Sequence, residues 1–116
     1  MAERRIYDEK LVKIGALLAT KRKSLGIQYK NRERFIDLRS EEIFGGDAWI
    51  SPRHLANIEL GKNWISFEKF FLLATALEVD PTELFDDIRR IYNTWFFAII
   101  LFARLWKGEK LWLDLH

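Results

Sequence analysis

Apolar side chains return every three or four positions along most of this chain, the spacing that places them on one face of a helix. Leu11, Ile14, Leu17, Leu18 and Leu25 make the first such stripe, and Phe35, Leu38 and Ile43 a second. A short third stripe has only Leu55 and Ile58, and a fourth runs through Phe67, Phe70, Phe71, Ala74 and Leu77. The last is the longest: Leu84, Phe85, Ile88, Ile91, Tyr92, Trp95, Phe96, Ile99 and Phe102, with Leu105 and Trp106 beyond. Five successive helical stripes predict an all-α protein, and the aromatic residues of the fourth are expected in its core.

The polar punctuation sets the boundaries. Residues 1–7 read as a frayed arm. The first helix starts near Asp8 and stops at Gly26. Asn31 can cap a second helix, NRERFIDLRSEEIF, and Gly45-Gly46-Asp47 then reads as a loop ahead of Trp49-Ile50. The other alignment starts the second helix at Ser40, with Phe44 inward. It has to carry the helix through two glycines at about 1 kcal/mol each, so the first alignment is preferred. Ser51 and Pro52 are a cap and a first-turn proline, and Gly61 is a stop. Ser66 caps the fourth helix. Asp80-Pro81-Thr82-Glu83 combines a cap, a proline and a returning glutamate at the start of the fifth, which is expected to continue from Pro81 to about Lys107.

Composition narrows the chemistry. An apolar content of 49% in 116 residues is ample for one core. With no cysteine there are no disulfides, thiol nucleophiles or Cys-ligated zinc, which fits a reducing cytoplasm. The opening residues MAERRIYDEK lack the apolar run of a secretory signal. His54 and His116 have no metal-ligand spacing, no phosphate-cradling glycine loop is present, and no nucleophile sits beside a base. No enzymatic activity, metal or cofactor is expected. The net charge of +2 is unevenly spread: residues 1–39 carry +6, residues 40–90 carry −5 and residues 91–116 carry +1. A basic first third suits contact with phosphate.

Residues 50–62, ISPRHLANIELGK, give that charge a direction. Their helix has a narrow apolar edge, so it must be held by neighbours while Arg53, His54 and Asn57 face elsewhere. Arg suits guanine edges and Asn suits adenine. The pattern Ser, polar residues, an aliphatic and then Ile58-Glu59-x-Gly61-Lys62 resembles the third helix of the Cro/phage-repressor (XRE-like) helix-turn-helix family. Upstream, IGALLATKRKSLG (14–26) resembles the family's first helix. Downstream, SFEKFFLLATALEVDPTELF (66–85) resembles its fourth and fifth. The resemblance spans roughly residues 10–88 and departs at 27–50, where the 24 residues exceed the family's usual connection.

The resemblance implies a five-helix lambda-repressor-like domain over residues 8–88 that binds double-stranded DNA as a transcriptional regulator. Base contacts would come from Pro52, Arg53, His54 and Asn57. Phosphate contacts would come from Lys21, Lys30, Arg32, Ser51, Lys62 and Asn63. Arg22 and Glu59 would form a structural ion pair.

The family domain ends soon after Phe85, and this chain continues. From Trp95 to Ala103 the fifth helix is apolar all round, which demands burial on more than one side. Residues 89–116 are therefore expected to form a homodimer, with Ile91, Trp95, Phe96, Ile99, Phe102 and Trp106 at the interface. The tail Leu111, Trp112, Leu113 and Leu115 would be a further strap on the partner. The nine-residue run is too short to span a membrane, which takes about 20 residues. The rival expectation keeps the scaffold but gives it a protein partner, as in an antitoxin; the acidic middle of the chain supports it.

Overall fold

The computed structural model describes residues 8–108, and within 94–98 the backbone alone. Every element among the described residues is helical: α1 (Glu9–Ser24), a single 3-10 turn (Ile27–Tyr29), α2 (Arg32–Glu42), α3 (Pro52–Glu59), α4 (Phe67–Ala76) and α5 (Pro81–Trp106). The helical count is thus six with the 3-10 turn, one more than the stripes predict. The extra turn falls at Ile27–Tyr29, too short to show a period.

Each α-helix starts at a capping side chain. Asp8 accepts from Lys10 N, Asn31 from Arg34 N, Ser51 from His54 N, Ser66 from Lys69 N and Asp80 from Thr82 N. These oxygens satisfy amides that the first turn leaves without a carbonyl. The cap at Asn31 decides between the two alignments of the second helix. Gly45 and Gly46, both at positive φ, lie in the loop that follows it.

One core joins the helices. Leu11, Ile14 and Leu18 of α1, Phe35 and Ile36 of α2, Leu55 and Ile58 of α3, and Leu73, Ala74 and Leu77 of α4 are all buried. From α5, Leu84 is buried, while Ile88 and Ile91 pack partly against this core. Helices α1 and α3 approach so closely that no side chain fits between them. A Cβ on Gly15 would lie 2.3 Å from the carbonyl oxygen of Glu59.

Three expected core positions are instead at the surface. Ile43 lies past the end of α2 and is exposed, while Phe67 and Phe71 on α4 are 81% and 54% exposed. The α4 stripe is wider than the face that the rest of the molecule covers. Leu73, Ala74, Ala76 and Leu77 are buried, whereas Phe67 and Phe71 stand on the side facing solvent.

A candidate nucleic-acid interface

Helix α3 is presented by an ionic and an apolar anchor. Its inner face is Leu55, Ile58 and Glu59, exposed by 1%, 2% and 5%. Arg22 grips Glu59 with two bonds, Nε to Oε2 and Nη2 to Oε1, each 2.8 Å. The remaining Arg22 nitrogen, Nη1, donates to the carbonyls of Tyr29 and Lys30 at 2.9 and 2.6 Å. The guanidinium thus ties α1 and the 3-10 turn to α3. Arg32 completes the cluster, its Nε donating to Glu59 Oε1 at 2.7 Å. An ion pair with both charged groups buried needs such satisfied donors to offset its desolvation.

At its far end α3 closes with Gly61 at φ 78°. Gly61 N donates to Ile58 O, and Lys62 N to Asn57 O. These two bonds form a helix stop that requires a left-handed residue. Here glycine is required twice over, since a Cβ would also sit 2.6 Å from Val12 Cα.

The long connection from α2 to α3 is not an open loop. Trp49 is 4% exposed and sits in the core against Phe35 and Phe44, with ring centroids 5.8 and 4.9 Å away. Its indole Nε1 donates to Ile36 O at 3.1 Å. Its carbonyl accepts from Lys69 Nζ at 2.6 Å. The residues added between the two helices therefore bring their own piece of core, which seats Ile50 and Ser51 at the start of α3.

What α3 leaves outward is polar. Ser51, Pro52 and Arg53 are exposed, and His54 and Asn57 are half-buried. Arg53 and Asn57 stand four apart, on one side of the helix. Burial, then the nearby Lys69 ammonium, holds the His54 imidazole below its ordinary pKa, so it is neutral at pH 7. Beside this face is a concave surface lined by Lys23, Lys30, Asn31, Arg32, Pro52 and Arg53, with Arg22 beneath and Glu33 its single acid. A second hollow at the start of α3 is different: there Asp37 and Glu41 of α2, with Lys69 of α4, line the surface that reaches Ser51 and Pro52.

The predicted phosphate contacts do not all come together. Lys30 and Arg32 lie in the basic concavity, with Arg32 also bound to Glu59. Lys21 points away and pairs with Asp87 of α5 at 3.1 Å. Asn63 lines an apolar cavity under α4 and α5, where its Oδ1 is buried without a hydrogen-bond partner. Lys23 and Asn31 are concavity residues that sequence reasoning missed. Lys23 follows Arg22, so burial of Arg22 turns Lys23 about 100° around the helix toward solvent, a signal available once Arg22 is placed inside. Of the residues expected at a dimer interface, Ile91 packs partly against its own domain's core. Ile99, Phe102 and Trp106 are exposed. The side chains of Trp95 and Phe96 lie outside the described residues, as do residues 1–7 and the tail with Leu111, Trp112, Leu113 and Leu115.

No described helix is long and apolar enough to cross a membrane. Compared with known proteins, residues 45–84 match the family model described as helix-turn-helix. No curated protein and no solved structure matches the chain. The matched stretch begins at the Gly45 turn and takes in all of α3, all of α4 and the first turn of α5. Residues 45–84 accordingly belong to the helix-turn-helix family of the Cro/phage-repressor type, a family of DNA-binding transcription regulators.

Proposed function

We propose that this chain is a sequence-specific double-stranded DNA-binding protein, acting as a repressor-like transcriptional regulator and as a homodimer. The domain over residues 8–88 would read DNA, and residues 89–116 would join two copies. The observation that carries this reading is the basic concavity of Lys23, Lys30, Arg32 and Arg53 immediately beside the outward face of α3. Phosphate contacts fix register and orientation, while base edges are read by what projects into the groove. In this reading α3 enters the major groove, Arg53 and Asn57 carry most of the discrimination, and Pro52 offers apolar contact such as to a thymine methyl. Neutral His54 can donate or accept one hydrogen bond beside them. Ser51 and Lys62, at the two ends of α3, touch the backbone.

Two such domains related by a two-fold axis would read half-sites about 34 Å apart, one turn of the duplex. The exposed apolar face of α5, with Ile99, Phe102, Leu105 and Trp106 at 59%, 69%, 60% and 83% exposure, supports a second copy at that end.

The test is selection of bound sequences from random duplex DNA at two salt concentrations, with the protein's mass in solution measured alongside. The expected result is an enriched, roughly palindromic site bound by a dimer, with affinity falling steeply as salt rises. No enrichment, or weak binding insensitive to salt, would replace this reading with that of a protein-binding module on the same scaffold.

A further inference from the structure

The apolar cavity under α4 and α5 has no part in the DNA-reading face. Its volume is about 140 Å³. Its floor is Leu11, Ile14 and Ile58, all buried, and its walls are Phe70 and Ile88. Phe67, Phe85 and Trp64 stand around its mouth, exposed by 81%, 56% and 38%. A cavity of about 150 Å³ lined by Leu, Ile and Phe stays dry and admits a benzene-sized ring. One polar residue breaks the apolar lining: Asn63, whose Oδ1 is buried and has no hydrogen-bond partner. A buried acceptor left unpaired costs about 1–3 kcal/mol. The occupant that removes both costs is a flat apolar ring with one donor and no acceptor, and the indole side chain has this chemistry. From the mouth, a shallower groove continues along α5 past Trp64, Ile88 and Arg89 to Tyr92.

The chain itself holds a suitable occupant. Past Gly108 it continues as Glu109-Lys110-Leu111-Trp112-Leu113-Asp114-Leu115. This tail lies beyond the far end of α5. At 1.5 Å per residue, Trp106 is about 27 Å along the helix from Ile88, too far for a short tail to return easily to its own cavity. A second copy removes the difficulty. Phe85, Tyr92, Ile99 and Trp106 recur at intervals of seven, the spacing of a helix-pairing seam. If two α5 helices pair antiparallel across Ile99, Tyr92 faces Trp106 of the other copy, so that the partner's helix ends about one turn, roughly 6 Å, short of Ile88. The residues that follow Gly108 can then reach the cavity mouth. A parallel pair would carry both tails away from both cavities.

We propose that the cavity is the socket for the tail of a second copy of this chain. The Trp112 indole enters between Phe70 and Ile88 and donates its Nε1–H to Asn63 Oδ1. Leu111 and Leu113 cover Phe67 and Phe85, and Asp114 lies within reach of Arg89. The proposal rests on the reading of α5 as the dimer helix and adds its direction and its lock. Two sockets per dimer, exchanged reciprocally, satisfy closed two-fold symmetry.

The full-length protein tests it, because no described residue is a cysteine and the full sequence contains none. Two proteins are prepared, one carrying Phe67→Cys and the other Leu111→Cys. Phe67 is exposed, and thermal melts followed by circular dichroism check that each variant folds. The pair is mixed, oxidised and analysed by mass. In parallel, sedimentation gives the dimer dissociation constant of the parent and of Trp112→Ala. The expected results are a disulfide-linked pair containing one of each variant and a rise of about 100-fold or more in the dissociation constant for Trp112→Ala. A dimer that gives no mixed cross-link and is indifferent to Trp112→Ala overturns the socket while the α5 dimer stands. A chain that stays monomeric at high concentration overturns both. If a single chain carrying both cysteines closes on itself, the tail occupies its own subunit and the second copy is excluded as occupant.

Discussion

Arg22 and Glu59 are the most consequential single residues of the described domain. Their side chains are 2% and 1% exposed, and Glu59 also holds Arg32. Removing one member leaves the other charged and buried, at a cost of about 3–5 kcal/mol. Glu59→Ala is expected to lower stability in urea by that amount, and the loss should exceed that of Arg32→Ala, whose side chain is 35% exposed. His54 makes a pH prediction. Its folded pKa is depressed, chiefly by burial, so as pH falls below about 6.5 the unfolded chain takes up the proton first. Stability is therefore complete above that value and declines as pH falls through the window down to the folded pKa. Thermal midpoints of the parent should drop more than those of His54→Gln between pH 7.5 and 5.5; parallel curves would refute the assignment.

At the scale of elements, the α2–α3 connection and α3 act as a unit. Trp49 fills the space that a longer connection opens and links α2 to α4 through Ile36 O and Lys69 Nζ. Trp49→Ala is expected to cost about 3–5 kcal/mol. It should also weaken DNA binding beyond its effect on folding, because Ile50 and Ser51 lose their seat; binding measured well below the melting temperature separates the two. The outward face of α3 makes a different prediction. Arg53→Ala should lower specific binding by about 1–3 kcal/mol and relax one base position. Equal losses on specific and random duplexes would remove Arg53 from base reading.

The described residues form a long body, 57 × 35 × 24 Å, and their charge is unevenly placed. Lys23, Lys30, Arg32 and Arg53 share one concavity beside α3, whereas Asp37 and Glu41 line a separate hollow. That arrangement gives the surface beside α3 a local positive charge that a net charge of +2 conceals. Each phosphate contact contributes about 0.9 to the slope of log affinity against log salt on duplex DNA. The double variant Lys23→Gln, Lys30→Gln should therefore flatten that slope by about 1.8 per domain, with similar losses on every sequence. An unchanged slope would place the backbone contacts elsewhere.

Local signals account for what could be read without a structure. The caps at Asp8, Asn31, Ser51, Ser66 and Asp80, the prolines at 52 and 81 and the glycine stop at 61 each act within one turn of helix. The sequence alone therefore determined where the five α-helices of the described residues begin and how α3 ends. The Arg22–Glu59 contact was legible only through the family resemblance, because its partners stand 37 residues apart. Tertiary structure decided the rest. A helical stripe says which residues lie on one face, but not how much of that face a neighbour covers, so Phe67 and Phe71 belonged to the stripe and still emerged at the surface. Positive charge along the chain marks lysines without aiming them: packing sent Lys21 to Asp87 and Lys23 into the concavity, and it likewise turned the neutral Asn63 to the apolar cavity. These outcomes depend on where α1 crosses α3, which the close approach at Gly15 permits, and a crossing of two distant segments leaves no period in either.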